Sequence, residues 1–159
     1  MPEVDELVEG PPEQLAMQNA YRKARTVAGC ELPVLGVDTV VCLGERIYGK
    51  PRDAGEARMT LSALSGRRHT VISGICLLEA GRASSAAART VVEFRALDGA
   101  LIDWYLASGE WRERAGAYAI QGGGAALVQE IEGDYSNVVG LPVPTLLELA
   151  PWLLRVGDT

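Results

Sequence analysis

VLGVDTVVCL, residues 34–43, carries one charge among ten residues and is rich in β-branched side chains, the profile of a buried strand. Working forward, Gly44 and Glu45 make a tight turn into RIYGKP (46–51), so a short hairpin is expected. Asp53 followed by Glu56 is a capping-box arrangement, and Ala57, Leu61 and Leu64 give a short amphipathic helix that stops at Ser65 and Gly66. HTVISGICLLE (69–79), a turn at Ala80 and Gly81, and ARTVVEFRAL (88–97) read as an antiparallel strand pair. Asp98 caps a helix through Leu101, Ile102, Tyr105 and Leu106, closed by Gly109. AYAIQGGGAALVQEIEG (117–133) is expected to give two short strands broken by three glycines, followed by the loop DYSNVVGLP (134–142). VPTLLELAPWLL (143–154) is a last helix that Pro151 kinks or shortens.

Working backward, Pro11 and Pro12 precede EQLAMQNAYRKARTVA (13–28), a helix that Gly29 ends. Leu15, Ala16, Ala20, Tyr21, Ala24, Val27 and Ala28 recur at helical spacing and mark its core face, with Lys23 and Arg25 near the edges. Helices and strands alternate with hairpins among them. The expected fold class is therefore α/β, one domain over 1–159, with a mixed central β-sheet flanked by helices.

The chain has 159 residues, 48% hydrophobic and 23% charged, enough for a core and against long disorder. Its formal charge of −6 repels polyanions and argues against a nucleic-acid polymer as partner, though a small anion could enter a locally basic cleft. Cys30, Cys42 and Cys76 are odd in number and far apart, which suits reduced thiols in a cytoplasmic protein. The acidic start MPEVDELVEG is no signal peptide, and no run is long enough to span a bilayer, so no membrane association is expected.

Asp38 is the residue that does not fit its surroundings, a carboxylate inside an apolar strand. It is either a strand-end aspartate bonding to a loop or a carboxylate facing a cleft, where it could hold a metal or activate water. Lys50, held in a Gly-Lys-Pro turn, favours the second reading, since such a lysine can reach a phosphate. Gly122, Gly123 and Gly124 could cradle a phosphate or simply bend the chain. His69 is the only histidine; it excludes two-histidine zinc sites and, beside Arg67 and Arg68 without a catalytic partner, reads as structural. Asp5 and Glu6 alone would be a solvated acidic segment, Lys23 a surface lysine, and Asp134, Tyr135 and Asn137 turn residues.

Taken together, several segments resemble the Maf family of nucleotide pyrophosphatases. They are VDE (4–6), LA…YRKA (15–24), LGVDTVV (35–41), IYGKP (47–51), LSG…HTVISG (64–74), AGAYAIQGGG (115–124) and IEGDYSNVVGLP (131–142), in family order. The resemblance implies a long central cleft and hydrolysis between the α and β phosphates of a nucleoside triphosphate, giving the monophosphate and pyrophosphate. It implies Asp38 as proton acceptor, Lys23 and Lys50 as phosphate contacts, and Glu6 with Asp38 as ligands of a divalent cation, Mg²⁺ or Mn²⁺. Thr39 and Gln121 resemble the subgroup acting on dTTP and UTP. A homodimer stays open.

One departure stands beside the match: family members reach VDE only after a strand and a Ser-x-x-Arg loop, whereas here it lies at 4–6. Two explanations compete: a misassigned start, with DNA upstream of Met1 encoding that segment in frame, or a true truncation that leaves a weakened protein. The alternative function is a catalytically weak or inactive Maf-like regulator of cell division that binds nucleotide or a protein partner.

Overall fold

The computed structural model describes residues 10–155 apart from Ala28 and Cys30. Its elements are α1 (Pro12–Thr26), β1 (Val34–Leu43), β2 (Arg46–Tyr48), α2 (Ala54–Leu64), β3 (Arg68–Glu79), β4 (Arg82–Phe94), α3 (Gly99–Ala107), β5 (Val128–Glu132), α4 (Tyr135–Val139) and α5 (Val143–Leu149). Short 3₁₀ turns cover Ala115–Ala117, Gly123–Leu127 and Pro151–Leu154. The strands form one sheet in the order β2-β1-β3-β4-β5, flanked by helices as expected. Every pairing among the described residues is antiparallel, where a mixed sheet was expected. Two of the neighbouring pairs are joined by tight hairpin turns, which can only give antiparallel strands.

Local chemistry accounts for several of the boundaries. Asp53 and Asp98 cap α2 and α3 by accepting the amides of Glu56 and Leu101 at 2.8 Å each. Ala80 and Gly81 both adopt positive φ (49° and 77°), as a two-residue hairpin requires, and this turn extends β4 back to Arg82, six residues before its expected start. Pro151 ends α5 and leaves a 3₁₀ turn behind it.

The pleat sorts β1 into two faces. Val40 and Cys42, with Ile72 of β3, lie in a core with Leu15 and Ala16 of α1. Val41, with Val71, lies in the larger core that holds Leu61 and Leu64 of α2, Phe94, and Tyr105 of α3. Asp38 shares the parity of Val40 and so faces α1, whereas Thr39 shares that of Val41.

Two glycines let α1 lie directly on the sheet. A Cβ at Gly36 would stand 2.0 Å from the Ala20 carbonyl oxygen, and one at Gly74 would stand 2.4 Å from the Ala16 carbonyl carbon. Gly74 is the register partner of Asp38, so one of these two close approaches of α1 falls beside that carboxylate. The helix consequently buries Asn19, which hydrophobic spacing leaves off the core face. Tyr21 and Val27, which that spacing places on it, are 37% and 40% exposed. Helix rotation here follows the glycine contacts and the bond to Asp38 rather than the apolar stripe alone.

Candidate active site

Asp38 is only 4% exposed and receives two donors from successive turns of α1. Lys23 Nζ lies 2.7 Å from Oδ1, and Asn19 Nδ2 donates to Oδ2 at 3.3 Å. Residues four apart on a helix share a face, so Asn19 and Lys23 reach the same carboxylate. An ionised carboxylate this deep is costly unless charge and hydrogen bonds compensate, and both are supplied here. The side chain of Lys23 keeps 25% of its surface, so it joins the buried carboxylate to solvent.

Asp38 and Lys23 open onto a cavity of about 180 Å³ that Thr39, Lys50 and Gln121 also line. Five residues singled out in the sequence thus meet in one place. Thr39 is positioned by its register partner Ser73, their hydroxyl oxygens 2.8 Å apart, and Ser73 in turn donates to the Asn137 carbonyl at 3.4 Å. Lys50 is carried by the turn after β2, where the Gly49 carbonyl accepts the Gly116 amide at 3.3 Å. Gly116 has φ of 72° and a Cβ there would meet Val41 at 2.8 Å, so only glycine fits that approach.

Sequence reasoning missed Glu113 and Arg114, which line the same cavity. The signal was the charged run Arg112-Glu113-Arg114 just before AGAYAIQG. Glu113 and Ala117, with φ of 60° and 65°, bend this segment around the cavity. Three cations (Lys23, Lys50, Arg114) and two carboxylates (Asp38, Glu113) make the lining locally more positive than the acidic chain as a whole. Two larger depressions, of about 470 and 680 Å³, lie elsewhere on the surface and bring together none of these five residues.

Other candidates resolve differently. Glu6 and Asp5 lie outside the described residues, as does Cys30. Cys42 and Cys76 are buried free thiols, and burial pushes the Cys42 thiol up. His69 is structural: it is buried, bonds Tyr118 Oη through Nε2 at 2.7 Å, and meets the Phe94 and Tyr118 rings edge-on. Burial lowers its pKa to about 4, so it is neutral at pH 7. Arg68 bonds Glu132 at 2.5 Å, away from the cavity. Asp134 caps α4, and Asn137 ties that helix to β3 and β4 through the Val71 and Ala88 carbonyls.

Of the two strands expected on either side of the glycine triplet, the first, over 117–120, does not form, since Gly116 and Ala117 take positive φ of 72° and 65° there. The second is β5, and between the two the amides of Gly123 and Gly124 donate to the Glu110 carboxylate, at 3.1 Å each. Among the described residues, no three His, Cys, Asp or Glu side chains gather as a metal cage. Asp38 is nonetheless an oxygen donor at the cavity, and Mg²⁺ commonly takes one or two carboxylates together with substrate phosphates. No helix among the described residues is long and apolar enough to cross a membrane.

The helix-flanked α/β sheet carries a buried carboxylate, three cations and a side-chain amide around one small cavity, a lining whose chemistry suits a compact, multiply charged anion. The chain belongs to the Maf family: the family model described as Maf-like protein matches residues 1–151. It is 43% identical over 148 residues to a dTTP/UTP pyrophosphatase of Pyrococcus furiosus, covering 91% of this chain and 77% of that protein. The dTTP/UTP pyrophosphatase of Gloeobacter violaceus is 51% identical over 142 residues (87% and 74%), and that of Anaeromyxobacter dehalogenans 49% over 151 (92% and 75%).

Proposed function

We propose that this protein is a nucleoside triphosphate pyrophosphatase that hydrolyses dTTP and UTP to the monophosphate and pyrophosphate. The observation that carries the reading is the convergence of Lys23, Asp38, Thr39, Lys50 and Gln121 on one cavity. The names of the relatives supply the substrate class.

In this reading water attacks the α-phosphorus, the bridging bond to the β-phosphate breaks, and Asp38 takes the proton of the attacking water. Lys23 holds Asp38 in its ionised form before substrate arrives and then shares its charge with the phosphates. Lys50 and Arg114 offset the charge that moves toward the leaving pyrophosphate. Gln121 offers one acceptor and two donors, enough to pair with a carbonyl and the adjacent N–H of thymine or uracil, with Thr39 beside it. Asp38, together with Glu6, would hold Mg²⁺ or Mn²⁺, and a bound divalent cation would offset triphosphate charge. The buried free thiols Cys42 and Cys76 favour a reducing compartment, and we place the enzyme in the cytoplasm.

Pyrophosphate release measured with each common ribo- and deoxyribonucleoside triphosphate, in Mg²⁺ and in Mn²⁺, tests the proposal. Preference for dTTP and UTP is expected. Absence of pyrophosphate from every triphosphate, with the protein folded, would sink it.

A further inference from the structure

Gly122, Gly123 and Gly124 follow Gln121 directly, and their turn already holds an anion. Gly123 N–H donates to Glu110 Oε2 and Gly124 N–H to Glu110 Oε1, each at 3.1 Å. The Tyr105 hydroxyl donates to the same Oε1 at 2.9 Å, and its oxygen accepts the Ala119 amide at 2.9 Å. One carboxylate and one phenol therefore grip backbone amides on both flanks of Gln121. The backbone is shaped for this grip: a Cβ at Gly122 would stand 2.3 Å from Glu110 Oε2, and one at Gly124 would stand 2.2 Å from the Ala119 carbonyl oxygen.

We propose that Glu110 is a positioning residue, an internal anion that fixes residues 119–124 and thereby the direction from which Gln121 meets the nucleobase. The inference rests on the reading of Gln121 given above. Hydrogen bonds to a carboxylate are roughly twice as strong as those between neutral groups, so the grip depends on the charge. Burial alone would raise the Glu110 carboxyl, but the Gly124 and Gly123 amides, the Tyr105 hydroxyl and the Arg114 charge outweigh it and hold it below its ordinary range. The Tyr105 ring is buried in the core beside α2 and β4, which anchors the device to the sheet.

Glu110→Gln keeps the shape, removes the charge, and turns an N–H₂ toward one of the two amides. Two measurements test it. Amide hydrogen exchange at Gly123 and Gly124 should accelerate by about tenfold or more in the variant, the size of one lost charge-assisted bond. The ratio of kcat/KM for dTTP over a purine triphosphate should fall by about tenfold, chiefly through KM, while turnover of the disfavoured triphosphate changes little. Tyr105→Phe, which removes one hydroxyl and leaves the ring, should move both readouts the same way by less, and it serves if Glu110→Gln fails to fold.

Unchanged exchange, or equal loss on every base, would overturn the proposal, since a merely structural residue lowers all substrates together. If the wild-type protein turns over no triphosphate, the reading of function fails on its own. The exchange rates, and the preference for dTTP over dATP in equilibrium binding, then decide the role of Glu110.

Discussion

Asp38 is nearly out of reach of solvent, yet it carries its own counter-charge and a hydrogen-bonding amide, so it can stay ionised at the cavity wall. Asp38→Asn keeps the shape and removes the charge. It should lower kcat more than about tenfold, roughly 1.4 kcal/mol of barrier, on every triphosphate. A variant retaining more than that would remove Asp38 as proton acceptor. Thr39→Glu and Gln121→Ala should instead weaken dTTP and UTP hydrolysis more than that of other bases, and a uniform loss would make both residues structural. His69 is expected to act on stability. The unfolded histidine takes a proton below about pH 6.5, the folded one only below about pH 4. Stability from this group is therefore complete above pH 6.5 and is lost as pH falls toward 4, by up to about 3 kcal/mol. Urea midpoints between pH 7 and 4.5 should fall more steeply for the wild type than for His69→Gln; parallel curves would show that His69 titrates normally.

At the scale of elements, the site depends on how closely α1 lies on β1 and β3. Gly36 and Gly74 set that distance, and a methyl group at either would meet helix backbone, which cannot rotate away as a side chain can. Gly74→Ala should cost about 1–3 kcal/mol by overpacking. It should also lower kcat/KM, because lifting α1 separates Asn19 and Lys23 from Asp38. Gly99→Ala is the matched control. Gly99 is the first residue of α3 with open space at its Cβ, so the change should be neutral or stabilising by about 0.4–1 kcal/mol, with activity intact. Equal thermal stability and activity in the two variants would refute the glycine contact as the device that builds the site. The same scale explains the loop before β5. Positive φ at Gly116 and Ala117 replaces the first of the two strands that its apolar residues suggested, and the following glycine amides are committed to Glu110.

The whole molecule presents an acidic surface around a locally basic cavity. Net charge governs long-range encounter, while the cavity lining governs what is held once inside. A non-hydrolysable α,β-imido analogue of dUTP, with Mg²⁺, should raise the melting temperature. At a hundred times its dissociation constant the linkage is about 2.7 kcal/mol, or roughly 5–10 °C for a chain of this size. Duplex DNA at the same phosphate concentration and physiological salt should produce no shift. A comparable shift with DNA would mean that the acidic surface does not exclude polymers, and the assignment to small nucleotides would fall.

Patterns set within a few residues were legible in the sequence. The strand at 34–43, the caps at Asp53 and Asp98, the turn at Ala80 and Gly81 and the stop at Pro151 each depend on neighbours two to four positions away. Asp38 announced itself as a charge inside an apolar strand, and the family segments named its companions in the cavity. Tertiary structure decided what lies opposite what. Asn19 is core because it bonds Asp38, 19 residues distant, and Tyr21 is exposed because the helix is turned to make that bond. Arg114 lines the cavity because the loop around Ala117 bends through the left-handed region. The glycine triplet is the sharpest case. Its chemistry left open a cradle for an anion or a simple bend, and only docking α3 and its following loop beside it determines that an anion is held and that it is Glu110 rather than a phosphate. Local sequence encodes torsional preference and periodicity; partners far apart in the chain are selected by strand register and helix packing, which no short window contains.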